Sequence, residues 1–289
     1  MISNSISYNK RSVGKKNVKK GEKMANWLEI DKYAKEWIKE AGERIIKSFS
    51  SELIIQTKSN KNDLVTQIDK GTEEFLINKI SEVFPSHRIL GEEGISKSLE
   101  DLKGIVWIID PIDGTMNFVH MQRDFAISIG IYENGIGKIG LIYDVVADEL
   151  YHVQKGNGVF MNDIELLPLK NTAVEEAIVG LNATWVTKNK RIDPTILEPL
   201  VKESRGTRSF GSACLELAYI AAGRMDAYLT LRLSPWDYAA GKIMVEELGG
   251  KVTTLRNEPL DLLTQQSFFA SKPGLHDEIL QKYLKDGNW

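Results

Sequence analysis

Cysteine is nearly absent from this 289-residue chain. Cys214 stands alone, so no intrachain disulfide can form and a disulfide-stapled secreted module is excluded. Histidine is scarce too. His87, His120, His152 and His276 are scattered, and no Cys-x-x-Cys or Cys/His pair at zinc spacing occurs, so a histidine- or thiolate-ligated metal is not expected. No run approaches the roughly 18 apolar residues of a membrane-spanning helix. The N-terminus carries bases but no apolar core of a secretory signal, and the expectation is a cytoplasmic protein. The net charge is −3, so no global positive excess points to nucleic acid.

What is present is ordinary globular material, with 42% hydrophobic and 27% charged residues, enough for a sizeable core. The charge is uneven. Residues 1–23 hold seven bases and one acid, Glu22, and are nearly free of large apolar groups, so they read as a disordered basic tail, with a nucleic-acid arm as the alternative. That tail is +6 and the remainder is −9. So acidic a body repels anionic substrates unless it holds cations locally.

Apolar residues from Trp27 to Phe49 recur at helical spacing, as do Phe75, Leu76, Ile80 and Val83 in a helix from about Asp69 to Phe84, which Pro85 closes. Short strands follow at His87–Leu90 and Ile105–Asp110, the latter ending at Pro111. Residues 124–162 alternate in period two between Gly- and Asn-rich turns and read as an antiparallel meander. Beyond about Lys170, strands at Ala177–Leu181, Asp226–Leu231, Lys251–Thr254 and Phe268–Ala270 alternate with helices near 194–204, 212–222, 236–248 and 275–284. This divides the chain into a tail (1–23), an α+β half (24–170) and an α/β half (171–289), with helices layered on two sheets.

The chemistry concentrates at Asp110-Pro111-Ile112-Asp113-Gly114-Thr115, directly after a buried apolar strand. A turn at Pro111 would fold Asp113 back beside Asp110. Two carboxylates so close repel, and shared divalent cations with a preference for hard oxygen ligands, Mg²⁺ or Mn²⁺, remove that cost. Gly114 lets backbone approach a ligand, and the amides of Gly114 and Thr115 are free to hold a phosphate. The bland reading of the same residues is an Asp-Gly bend. Four further segments are each weak alone: Gly91-Glu92-Glu93-Gly94, an acidic turn; Asp63 to Asp69, where Asp63 or Thr66 can simply cap a helix; Gly211-Ser212-Ala213, a cap or an anion site; and Pro235-Trp236-Asp237, a helix start. Together they place acids and helix starts at successive element ends, able to converge on one cleft.

With DLVT (Asp63–Thr66), GEEG (Gly91–Gly94), DPIDGT (Asp110–Thr115), GSA (Gly211–Ala213) and WD (Trp236-Asp237) in this order, the chain from Met24 to Leu284 resembles the inositol monophosphatase family of Mg²⁺-dependent, lithium-sensitive phosphatases. The resemblance implies a layered αβαβα sandwich, usually dimeric. It implies that Glu92, Asp110 and the Ile112 carbonyl hold one metal, that Asp110, Asp113 and Asp237 hold a second, and that Glu92 holds a third, weaker one. Thr115, with Asp63 as its partner and Glu92 nearby, would position the attacking water. Gly114 and Thr115 would bind phosphate, and Gly211, Ser212 and Ala213 would line the alcohol side. One departure stands out: where the family places a Glu that contacts inositol hydroxyls, seven residues before the WD aspartate, this chain has Thr230.

The expected activity is therefore Mg²⁺-dependent hydrolysis of inositol monophosphate and related small phosphates by metal-activated water. Fructose 1,6-bisphosphate and the 2′-phosphate of NADP are in reach because of Thr230, and a 3′(2′),5′-bisphosphate nucleotidase is the alternative. Phosphatases of the haloacid-dehalogenase type pair their aspartates at i and i+2 as nucleophile and acid. Here the spacing is i+3 with Pro111 between, which argues against a nucleophilic pair. A non-catalytic phosphate-binding module should lack a ligand, and none is missing. The partners expected are a small phosphomonoester and a second copy of the chain, with no nucleic acid and no membrane.

Overall fold

The stripe Ile30, Ala34, Trp37, Ile38, Ala41 and Ile45 is buried along one side of helix α1 (Trp27–Ser48), which Asn26 caps. The computed structural model describes residues 25–58, 64–96, 98–287 and 289. The basic tail and Asp63 lie outside the described residues. After α1 come a short antiparallel hairpin, β1 (Ile55–Thr57) and β2 (Leu64–Thr66), and helix α2 (Gln67–Val83). Strands β3 (Arg88–Gly91) and β4 (Ile105–Asp113), helix α3 (Thr115–Met121), and strands β5 (Ala126–Glu133), β6 (Ile136–Asp144), β7 (Glu149–Gln154), β8 (Val159–Met161) and β9 (Ile164–Glu165) follow. The rest runs β10 (Ile178–Gly180), α4 (Pro194–Glu203), β11 (Gly206–Arg208), α5 (Ala213–Ala221), β12 (Ala227–Leu233), α6 (Pro235–Glu247), β13 (Lys251–Thr253), β14 (Gln266–Ser271) and α7 (Leu275–Lys282).

Strands β3 to β9 form a seven-stranded sheet in chain order, antiparallel except for the parallel pair β3–β4. The second sheet is mixed and five-stranded, in the order β11-β10-β12-β14-β13. Helices α1 and α2 cover one face of the first sheet through Ile38, Phe75, Trp107 and Ile129. Helices α5 and α6 fill the space between the sheets with Leu215, Leu217, Tyr238 and Met244, against Ile108, Tyr132 and Phe268. Helices α4 and α7 cover the far face of the second sheet through Leu197, Leu229, Phe269 and Ile279. The layers are helix, sheet, helix, sheet, helix. No helix among the described residues is long and apolar enough to cross a membrane.

The meander expected from the period-two pattern is β5 to β8, with Asn134-Gly135 at positive φ in the β5–β6 turn, as right-twisted hairpins prefer. Two expectations are corrected. The strand thought to end at Asp110 runs on to Asp113, and Pro111 lies within it. The segment after Gly114, for which the sequence patterning assigns no element, is a short helix, α3.

Helix α6 sits unusually close to the first sheet. Gly130 and Gly140 pair across β5 and β6 beneath Ala239 and Ala240. A Cβ on Gly140 would stand 2.7 Å from the Ala240 carbonyl oxygen, and one on Gly130 would stand 2.8 Å from Ala239 Cβ. This pair sets the height of α6, and α6 carries Asp237 in its first turn. Gly140→Ala is expected to lower stability by about 1–3 kcal/mol through overpacking, read as a lower urea midpoint with an unchanged slope. A midpoint equal to the parent's would show that the glycine does not set this spacing.

Candidate active site

A β-bulge brings the two aspartates of β4 together. Asp110 lies opposite Ser128 and Asp113 opposite Ala126, so three steps along β4 match two along β5. Residues three apart normally face opposite sides of a sheet, and one extra residue puts them on the same side. Asp110 and Asp113 thus both face α5 and α6, while Ile109 and Ile112 turn into the core under α1 and α2. Asp110 is 1% exposed and Asp113 8%. The Ile112 N–H donates to Asp110 Oδ1 at 3.0 Å, which fixes the bulge.

Asp237 arrives from the opposite layer. It is the third residue of α6 and takes part in a capping box, accepting from the Ser234 N–H at 2.8 Å. The bland reading, a helix cap, is true of it, but the same side chain reaches the bulge. Asp110, Asp113 and Asp237 each offer a carboxylate oxygen within 4.8 Å of the others. Glu92, in the turn after β3, is near enough to repel Asp110 and forms an ion pair with Lys58 at 2.9 Å. Lys58 also holds Glu93 at 2.6 Å. A cavity of about 480 Å³ opens over this cluster, bordered by Lys58, Glu92, Arg232, Trp236, Asp237 and Gln265.

The charges explain what the cluster needs. Burial, then repulsion from Glu92, Asp113 and Asp237, pushes the Asp110 carboxyl well above its ordinary range. Burial and then Asp113 and Glu92 do the same to Asp237. Asp113 is pushed from 3.8 to about 6, mainly by burial, against the opposing bonds from Ser212 and Cys214. Such a set cannot ionise fully without a counter-cation. Its donors are all hard oxygens. An octahedral Mg²⁺ separates opposite oxygens by about 4.2 Å, close to the span observed here, so the residues fit a divalent cation.

Thr115 is the first residue of α3, and Gly114 before it adopts φ +95°, a conformation that favours glycine. The Thr115 hydroxyl has acceptors in Asp69 Oδ1 at 2.9 Å and the Ile112 carbonyl at 3.1 Å. Among the described residues the carboxylate partner of Thr115 is Asp69; Asp63, expected in that role, lies outside the described residues. Asp69 is 1% exposed, and its other oxygen accepts from both the N–H and the hydroxyl of Thr66, the N-cap of α2. One turn further along α2, Glu73 is fully buried and accepts from the N–H groups of Glu93 (2.8 Å) and Ile95 (3.2 Å), clamping the turn that presents Glu92. A single helix face thus supports both Thr115 and Glu92. Sequence reasoning missed Asp69 and Glu73. The signal was there, because both fall on the buried stripe with Thr72, Leu76 and Ile80, where a carboxylate has no place unless it is bonded.

The Gly211–Ala213 segment lies against the bulge. Ser212 Oγ donates to Asp113 Oδ2 at 2.5 Å and the Cys214 N–H donates to the same oxygen at 2.6 Å. Ser212 also caps α5 and is 2% exposed, so its side chain braces Asp113. Asn117 of α3 ties the loop down from the other side, donating to the Phe210 carbonyl at 2.6 Å. Thr230 is buried on β12 and accepts from the Trp185 indole N–H at 3.1 Å.

A model of the inositol monophosphatase family matches residues 26–286. The chain is 62% identical over 261 residues to inositol-1-monophosphatase of Bacillus subtilis (strain 168), across 90% of this chain and 98% of that one. A structure of inositol monophosphatase II of Staphylococcus aureus with 2′-AMP bound aligns with a TM-score of 0.82 at 42% identity, over 89% of this chain and 95% of that one. A structure of an inositol monophosphatase/NADP phosphatase with Mg²⁺ and phosphate aligns at 0.81 and 29% identity, over 89% and 95% of the two chains.

Two outcomes are expected from the electrostatics. A raised carboxyl means the folded state binds protons more tightly than the unfolded one, so stability falls as pH rises from about 4 through about 6. A cation that replaces those protons should therefore stabilise little at pH 4 and progressively more towards pH 7. Thermal melts with Mg²⁺ and with EDTA check this, and a shift independent of pH would contradict it. Glu73→Gln removes one acceptor under the Glu92 turn and should weaken Mg²⁺ binding by roughly 10-fold, within the range for groups that orient metal ligands, as measured by calorimetry.

Proposed function

This chain belongs to the inositol monophosphatase family and is a phosphoric monoester hydrolase, and from that premise we propose that it hydrolyses inositol monophosphate and related small phosphomonoesters with Mg²⁺ bound among Glu92, Asp110, the Ile112 carbonyl, Asp113 and Asp237. The convergence of three aspartates from two layers, one of which, Asp237, borders a cavity together with Glu92, carries this reading. Bound ions, two or three of them, neutralise the carboxylates, polarise the phosphate and lower the pKa of water. The residues do the rest. The Thr115 hydroxyl, with its proton directed to Asp69, keeps a lone pair free to accept from a water and so points that water's own lone pair at phosphorus. The amides of Gly114 and Thr115, at the start of α3, hold phosphate oxygens as the ester bond breaks. The backbone of Gly211 and Ala213 borders the leaving alcohol, while Ser212 keeps Asp113 aimed at the cavity. The same reading includes a homodimer, following the family resemblance, in the cytoplasm, where one buried cysteine stays reduced.

Thr230 favours a second substrate group over strict inositol specificity. It is neutral, and its hydroxyl is already engaged by Trp185, so it supplies no carboxylate for inositol hydroxyls. Phosphates on the 2′-position of a nucleotide, including that of NADP, and on fructose enter the reading on this ground. The 2′-AMP-bound relative supports it.

The test is a panel of phosphomonoesters with Mg²⁺, containing inositol 1-phosphate, 2′-AMP and NADP⁺. Turnover that EDTA abolishes and millimolar lithium inhibits is expected. Thr115→Ala should lower kcat by about 10²–10⁴-fold with little change in KM. No turnover of any ester would refute the reading, and unimpaired turnover by Thr115→Ala would remove that residue from it.

A further inference from the structure

Helices α1 and α2 are too few to roof the first sheet. Packed helices lie about 8–10 Å apart and strands about 4.8 Å, so two helices cover roughly four strands. Here α1 rests on β5 and β6 and α2 on β4, and the sheet continues past them into β7 and β8. Where the roof ends, a cavity of about 790 Å³ opens between the side of α1 and these two strands. It shares no lining residue with the cavity beside Glu92 and Asp237. No step of phosphate hydrolysis uses its side chains.

Two periodicities build its walls. Asp31, Lys35 and Lys39 recur every four residues and form one stripe of α1. Leu150, His152 and Gln154 alternate along β7, so they share one face while Tyr151 and Val153 turn into the interior on the other. Phe160 of β8 stands directly across from His152. His152 is 7% exposed, and its Nε2 lies 2.5 Å from Asp31 Oδ1. A ring nitrogen against an ionised carboxylate carries the proton, so Nε2 donates. Lys35 donates to the other oxygen of Asp31 at 2.9 Å. The second ring nitrogen, Nδ1, has no partner among the described residues, and neither have the side-chain amides of Gln154 and Asn157. Burying a polar ring is costly unless it is bonded. Here one of its two nitrogens is left for whatever enters.

The lining sets the chemistry of the ligand. Lys35 and Lys39 are paired with Asp31 and Asp148. Among the described residues Asp163 is the lining charge left without an ion pair, and it is negative. Such a wall has no surplus for a phosphate or a carboxylate. Nor is it a metal centre, because among the described residues the one grouping of three metal-ligating side chains is Asp110, Asp113 and Asp237. The groups that remain are a ring nitrogen and two amides, each amide both donor and acceptor, beside the apolar surface of Leu150 and Phe160. They suit a molecule whose hydroxyls both give and take hydrogen bonds around a C–H surface. We propose that this cavity is a second binding site, for an uncharged polyhydroxylated ring of hexose or cyclitol size. Its volume is ordinary for a small-molecule site.

Ligand-observed NMR of the full chain with Mg²⁺ tests this, using myo-inositol and D-glucose as probes and inorganic phosphate and glucosamine as charged controls. The parent should bind the uncharged probes with dissociation constants of about 1 mM, ordinary for so few atoms. Gln154→Ala and Asn157→Ala should each weaken binding by roughly 3- to 10-fold, the worth of a neutral hydrogen bond. Both residues lie outside the core, so these variants keep the test decisive even if His152→Gln, expected to weaken binding at least as much, does not fold. Asp237→Asn, at the carboxylate cluster, should leave binding unchanged. No binding of either uncharged probe, or binding of phosphate or glucosamine in their place, overturns the assignment. So does binding that Gln154→Ala and Asn157→Ala leave undiminished, and so does binding lost in Asp237→Asn, because the probe then sits at the carboxylate cluster. Turnover of phosphomonoesters decides the phosphatase reading separately, and none of these outcomes bears on it.

Discussion

Repulsion among Asp110, Asp113 and Asp237 is the constraint around which the molecule is arranged. Three carboxylates are taken out of water and set within 4.8 Å of one another. Each such step costs several kcal/mol. The structure offsets the cost locally, with the Ser212 hydroxyl and Cys214 amide on Asp113, the Ile112 amide on Asp110 and the Ser234 amide on Asp237. These donors leave other carboxylate oxygens available, and their number is too small to neutralise the set. The remaining imbalance is of the kind that a divalent cation would relieve.

Supporting carboxylates repeat the pattern one layer out. Asp69 and Glu73 are buried on α2 and carry no ion pair among the described residues, yet each accepts several protein donors. Asp69 accepts from Thr115, and Glu73 holds the backbone around Glu92. Glu216 does the same for the segment after β11, accepting from the Phe210 N–H while burial pushes its carboxyl to about 7. Backbone around the site is thus held by buried acids, whose desolvation the donors they hold offset only in part.

The sequence made much of this legible, and its gaps have physical causes. Helical stripes such as Ile30 to Ile45, and the alternation of β5 to β7, are set by burial on one face, which is written residue by residue. The five motif segments could be read as converging because each ends an element at a sheet rim or helix start. The path of β4 could not. Proline and an Asp-Gly pair look like a turn, and only pairing with β5 shows a bulge instead. The family resemblance implies Asp63 as a partner of Thr115, and that residue lies outside the described ones. Asp69 lies inside an amphipathic helix, where its role depends on which turn of α2 faces α3. Strand β11 has three residues, and the hairpin β1–β2 three in each strand. Elements so short take their conformation from neighbours.

Helices α5 and α6 are packed on both broad faces, with Glu246 of α6 reaching solvent. One face of this middle layer packs on the glycine pair of β5 and β6, and the other on β12 to β14. Exchanges in α6 that add volume against Gly130 and Gly140 are costly, so the layer that carries Asp237 has little room to change. Novelty in what such a protein acts upon has to accumulate at the periphery, in the stretch around Trp185, the irregular end of β12 and the turn beside Gln265. Those places can vary without disturbing the packed interior, and chemistry and selectivity can therefore diverge at different speeds within one chain.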